Sequence, residues 1–271
     1  METFQAILIG IFVNLITPFL LKKTQFQIKK SERQKISNRL QLALKLMNES
    51  RDEKFTIAEF SRILNLEKVS DLEKYFLDKE EPSFEFLEKY TNEFGLSSRW
   101  LIEGKGNPFK HDEEIYIDMF DCLEKINELN PSIIYFIRAN NVKGETCIAV
   151  EVNEHCHVVL NTTVHFSKQN GYGGTRQLVS FRKLIMSLIL EKNYITKGVI
   201  VSGAVFKALF QGKIHPMTAV DKRIKPFQHW HDDFTDLYNQ RYGYQHHNEY
   251  DQNFKDAFNL VKNFVDKYGE S

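Results

Sequence analysis

Cysteine, net charge and recognisable catalytic signatures are what this sequence has least of. Its three cysteines, Cys122, Cys147 and Cys156, are an odd number without CxxC spacing, which excludes a disulfide framework and a cysteine-rich zinc module and suits a reducing cytosol. Basic and acidic side chains are equal at 36 each, so the chain has no global positive field. Any contact with nucleic acid has to come from a local patch. There is no Gly-Lys-Ser or Gly-Lys-Thr, no GxGxxG, no GxSxG and no HExxH, which removes the phosphate loop, the dinucleotide fingerprint, the nucleophile elbow and the zinc-protease helix. The chemistry expected is binding, with no bond made or broken, no catalytic residue and no cofactor.

What is present is enough apolar material for a sizeable core. At 271 residues, 42% hydrophobic and 27% charged, the chain is neither disordered nor fibrous, and its length suits more than one domain. From Phe4 to Leu21 it is almost continuously apolar, a run of about 18 residues, which is the lower end of what spans a bilayer core as a helix. No positive residue precedes the run and no small-residue cleavage site follows it, so a removable secretory signal is not expected. Lys22, Lys23, Lys29, Lys30, Arg33 and Lys35 follow it. By the positive-inside rule the N-terminus lies outside and the bulk of the chain is cytoplasmic, with the lysines against anionic lipid. That predicts a single-pass protein of the inner membrane. The alternative is a cytoplasmic protein in which the segment is buried against a partner or a second copy.

Helical spacing recurs from residue 31 to 109. Ile36, Leu40, Leu44 and Met47 form one stripe, Thr56 caps a second helix through Phe60, Ile63 and Leu64, and a third runs through Leu72, Tyr75 and Phe76. Phe84, Leu87 and Phe94 mark a fourth helix that stops at Gly95, and Ser97 caps a last one around Trp100 and Leu101. Gly104, Gly106 and Pro108 then break regular structure.

The segments FTIAEFSRILNLEKV and LDKEEPSFEFLEKYTNEFGLSSRWLIEGKGNPF resemble the helix-turn-helix of the phage Cro and repressor family, over about 80 residues. The ending carries most of the likeness: Gly95-Leu96-Ser97, then Trp100-Leu101, then Gly104-Lys105-Gly106. The resemblance implies a five-helix, all-α domain with 56–64 as the supporting helix and 69–76 as the recognition helix. It also implies DNA binding and transcription regulation, with Ser70, Lys74, Lys68 and Arg39 as the contacts. The sequence departs from the family in two ways. Asn65 stands where the turn normally has Gly, in a connection one residue longer than usual. Residues 67–81 carry six acids against three lysines, a surface that repels phosphate, and Arg, Asn and Gln, the usual readers of base edges, are absent from 69–76. A protein-contacting adaptor of defence or signalling is the alternative use of the same helices.

Residues 110–271 read as an α+β domain that senses a ligand or pairs subunits into a homo-oligomer. A helix is expected over 112–130, then three strands in an antiparallel meander (133–138, 146–152 and 157–166), a glycine loop at 171–174, and a helix through Leu178, Phe181, Leu184 and Leu188. A strand at 199–201, a helix capped by Ser202, and aromatic-rich helices near 234–242 and 253–268 follow. The loop offers Gly173, Gly174, Thr175 and Arg176 to a small anionic ligand, because free amides and a cation meet there. Its alternative is a plain strand-to-helix turn. His155 with His157, and His229 with His231 near Asp232, Asp233, His246 and His247, invite a metal reading, but neither spacing fixes a ligand geometry, and no metal is expected. The organisation expected is therefore multi-domain: an apolar transmembrane helix in 1–30, an all-α five-helix helix-turn-helix domain in 31–109 and an α+β domain in 110–271.

Overall fold

The computed structural model describes residues 31–220, 227–238 and 249–269, and only the backbone of residues 111–114. Helix α1 (Glu32–Met47) starts where the Ser31 hydroxyl accepts from the Gln34 amide, and buries Ile36, Leu40, Ala43 and Met47 along one face. Helix α2 (Ile57–Ile63) opens with a reciprocal cap between Thr56 and Glu59, a device worth about 1 kcal/mol. Helices α3 (Val69–Phe76), α4 (Phe84–Glu93) and α5 (Ser98–Glu103) follow, the last two capped by Ser83 and Ser97. Their apolar faces share one core, in which Phe60 stacks on Phe94 at 3.9 Å between Leu40, Leu72, Leu87 and Leu101.

The expected fold class is corrected: the described residues do not show an all-α five-helix domain set apart from an α+β one. The fold is α+β, built on a mixed five-stranded sheet, and the short helices end on that sheet rather than standing apart from it. Leu96 pairs with Phe109 in an antiparallel bridge, the Lys110 amide donates to the Gly95 carbonyl, and Phe109 is buried in the helical core. The turn at Glu154 and His155 completes the junction: Arg51 pairs with Glu154, and His155 lies 3.0 Å from Glu93. The segment 4–21 lies outside the described residues. Among the described residues no helix is long and apolar enough to cross a membrane.

The sheet comprises β1 (His111–Tyr116), β2 (Ile133–Asn140), β3 (Glu145–Asn153), β4 (Cys156–His165) and β5 (Ile195–Ser202), in the order β1-β4-β3-β2-β5. Strands β2, β3 and β4 form the antiparallel meander, while β5 runs parallel to β2 and β1 parallel to β4. Strand β1 corrects the helix expected over 112–130. The chain there is extended to Tyr116, and the helix α6 (Met119–Leu129) begins only after the Asp118 carboxylate accepts from the Phe120 amide.

Both faces of the meander are covered, which is why β2, β3 and β4 read as largely apolar runs. Successive side chains of a strand point to opposite faces, so Ile134 and Phe136 enter one core and Tyr135 and Ile137 the other. The first core is closed by α6, by α7 (Tyr172–Met186, continued as a π-helical turn over Ser187–Glu191) and, after β5, by α10 (Trp230–Asp233) and α11 (Gln252–Tyr268). The second is closed by α8 (Gly203–Phe210) and α9 (Pro216–Ala219).

Among the described residues a charge without exposed surface sits inside. Arg138, on β2, has no exposed surface, yet its guanidinium donates twice to Asp251, at 3.0 and 2.7 Å, and is ringed by Phe166, Trp230 and Phe254. Asp251 also caps α11 by accepting from the Phe254 amide. Burial works against the charge on Asp251, but Arg138 more than offsets it and holds the carboxyl below its usual range. His231 is buried as well, and burial pushes its pKa down to about 4.

These groups predict two acid windows. Between pH 6.5 and 4 the unfolded chain takes up a proton that His231 refuses in the fold, so stability should fall with pH by about 3 kcal/mol, at 1.36 kcal/mol per pKa unit. Below the ordinary aspartate range the unfolded chain takes up a proton that the depressed Asp251 still refuses, so its contribution is lost as pH falls further toward the folded value. Asp251→Asn, which keeps the cap but not the ion pair, should cost about 3 kcal/mol at neutral pH. Urea unfolding over a pH series should show that cost shrinking below pH 4.

Candidate functional site

The four residues read as DNA contacts have different fates. Arg39 turns inward, its Nε donating to the Leu101 carbonyl at 2.6 Å and a terminal nitrogen to that of Ile102 at 2.9 Å. It satisfies the carbonyls left open at the C-terminal end of α5. Lys74 is paired with Glu80 at 2.8 Å and lies over the Tyr75 ring. Ser70 and Lys68 are exposed at the start of α3. Their neighbours on that outer surface are Val69, Glu73 and Leu77, with Val69 45% and Leu77 50% exposed. The Asp71 carboxylate accepts from the Lys68 amide, which puts a further negative charge at the N-terminal end of α3. Asn65, in the connection between α2 and α3, has φ 55°. This is the left-handed conformation, which Asn tolerates better than other residues with a Cβ.

The glycine segment is not a loop. Gly171 is the N-cap of α7, and Gly173, Gly174, Thr175 and Arg176 lie within its first turns. The Thr175 hydroxyl is buried and donates back to the Gly171 carbonyl. Gly174 is needed for space, since a Cβ there would collide with the Asn170 side chain. Asn170 in turn donates to the carbonyls of His165 and Ser167. Arg176 is exposed. None of the four lines the cleft described next.

That cleft, of about 730 Å³, opens where the carboxyl ends of β2, β4 and β5 meet the amino end of β3. Its walls bring together the turn from Asn141 to Glu145, the end of β4 with His165 and Ser167, and the face of α8 carrying Gly203, Phe206 and Lys207. Ligands in sheets of this kind sit outside the carboxyl ends of parallel strands, where connections diverge and leave a crevice. Lys143 and Lys207 supply cations, Glu145 and His165 face each other in register across β3 and β4, and Phe206 and Phe210 give an apolar floor. The arrangement suits a small polar ligand. Sequence reasoning missed it because its residues come from three segments that only the sheet topology joins. The signal available was the position of Asn141 and Ser202 just at strand ends.

The described histidines form no metal arrangement. His155 sits in the β3–β4 turn beside Glu93, while His157 is buried next to His215, with ring centroids 5.0 Å apart. His157 lies 3.5 Å from Glu151 and holds that carboxyl below its usual range, and Tyr135 donates to the same carboxylate at 3.1 Å. Burial, with the charge of His157 next, depresses the pKa of His215 well below the usual value. His231 donates to or accepts from Thr196 and stacks on Phe136. Among the described residues no group of His, Cys, Asp and Glu could hold a metal ion. His246 and His247 lie outside them.

The turn makes a direct test. Asn65→Gly should leave stability nearly unchanged, whereas Asn65→Val should cost about 1 to 2 kcal/mol, the penalty for a branched side chain in left-handed backbone. Chemical denaturation midpoints of the two variants measure the difference. No family model, no curated protein and no solved structure matches this chain.

Proposed function

We propose that this chain is a non-catalytic adaptor or regulator in which the helix-turn-helix segment contacts a protein partner through the outer face of α3, while the sheet holds a small polar ligand in the cleft beside α8. The observation that carries this reading is the use made of the basic side chains. Arg39 and Lys74 are spent within the chain, on the carbonyls closing α5 and on Glu80. What remains outside on α3 and at its ends is a short, mainly apolar and acidic surface, Val69, Glu73 and Leu77 with Ser70 among them, and Lys68 as an exposed cation at its start. Such a surface gains nothing from the counterion release that drives binding to a duplex. It suits a partner that offers apolar anchors and basic side chains, where charge complementarity sets register and on-rate.

Two measurements on the full chain separate this from the DNA reading. Selection from random duplex DNA should enrich no sequence, and a photocrosslinker placed at Ser70 should yield a discrete protein adduct in cells that Val69→Asp removes. An enriched duplex whose binding weakens by about 1 to 3 kcal/mol in Lys68→Ala, the range for loss of a base contact, would overturn the adaptor reading and restore DNA as the partner.

A further inference from the structure

A second cleft, of about 530 Å³, runs along the seam where the helices meet the sheet. The stretch 99–110 places three cations in its lining, Arg99 from α5, Lys105 from the connection after it and Lys110 from the residue before β1, and α6 adds Lys125. Among the described residues no carboxylate lines it. Two of the cations have acidic neighbours, Lys105 with Glu103 at 3.0 Å and Lys125 with Glu128 at 3.2 Å, but both pairs are exposed and weak. Arg99 and Lys110 have no ion pair among the described residues, and both are exposed. The inner wall is apolar, formed by buried Leu96, Phe109 and Val158.

Convergence of four like charges on one concavity costs the fold electrostatic repulsion, and low-dielectric walls focus the resulting field into the cleft. An anion of matching size relieves that cost. Arg99 brings a planar fork suited to two oxygens of one phosphate, and the lysines add point charges around it. The apolar wall leaves room for an uncharged ring beside the charged group, and the volume falls in the range of small-molecule sites. We infer that this seam binds a phosphorylated small molecule of nucleotide size. The site is independent of the cleft beside α8, which contains Glu145, and of the outer face of α3. Its position gives it a consequence: a ligand there touches α5 on one side and α6 and β4 on the other, so its binding stiffens the junction between helices and sheet.

The test uses the full chain at low salt with three probes: inorganic pyrophosphate, adenosine triphosphate and a short single-stranded oligonucleotide. Pyrophosphate and the nucleotide should each raise the thermal midpoint, by about 5 °C for the nucleotide at a hundredfold excess over its Kd, and the shift should shrink as salt is added. The double variant Arg99→Glu/Lys110→Glu should weaken nucleotide binding by at least about tenfold, while Lys143→Glu/Lys207→Glu in the other cleft should leave it unchanged. If the charge reversals fail to fold, Arg99→Ala/Lys110→Ala should still weaken binding, since both positions are exposed. The inference is overturned if neither small probe shifts the midpoint, if the shift survives loss of Arg99 and Lys110, or if only the oligonucleotide binds.

Discussion

The approach of Gly95 to the backbone of His157 is the constraint on which the arrangement of the molecule rests. Gly95 has φ 61°, and a Cβ on it would lie 2.7 Å from the His157 carbonyl oxygen. The glycine that stops α4 is thus also the point where the helical core meets β4. Around it the contacts are of ordinary strength: the Leu96–Phe109 bridge, the bond from the Lys110 amide to the Gly95 carbonyl, the pairs Arg51–Glu154 and His155–Glu93, and the Phe109 amide bonded to the Gly212 carbonyl. The bridge and the bond from Lys110 lie directly beside the close approach that only a residue without a side chain permits. The seam between Leu96, Phe109 and Val158, with its four cations, exists because of the same approach.

Within the sheet the corresponding element is Arg138. A charge without exposed surface is costly unless it is paired and its hydrogen bonds are used. Asp251 supplies that pairing from the N-cap of α11, which ties the last described helix to β2 of the sheet. The aromatic rings of Phe166, Trp230 and Phe254 exclude water around the guanidinium and so strengthen the pair. Helices from distant parts of the chain therefore cover one face of β2 in a single arrangement, and the carboxyl ends of β2, β4 and β5 are left as the open edge beside α8.

Local chemistry was legible in the sequence, and long-range pairing was not. Thr56, Ser97 and Ser202 cap helices because a hydroxyl before an apolar stripe satisfies amides a few residues away, and Gly95 ends α4 for a reason equally local. The three strands of the meander are apolar and β-branched enough to be read directly. Strand β1 was not legible. Its charged residues precede a helical stripe, and its pairing is with β4, more than forty residues away. The glycine segment misled in the opposite sense: three glycines indicate a loop by propensity, whereas contact with Asn170 requires one of them inside a helix. Arg39 looked like a phosphate contact because nothing in sequence reveals the carbonyls of Leu101 and Ile102 that it reaches. Both clefts draw their walls from segments that only the sheet brings together, so the chemistry of each residue was visible while the site was not.

If the helices and the sheet are held together as this account requires, they open together. Native-state hydrogen exchange on the full chain tests this most directly, by comparing the amides of Phe60 and Leu64 in the helical core with those of Phe136 and Ile148 in the sheet. The account predicts that both sets exchange with the same opening free energy and the same dependence on denaturant. Helical amides that exchange by an opening about 2 kcal/mol or more below that of the sheet would mark an independent unit, and would contradict it.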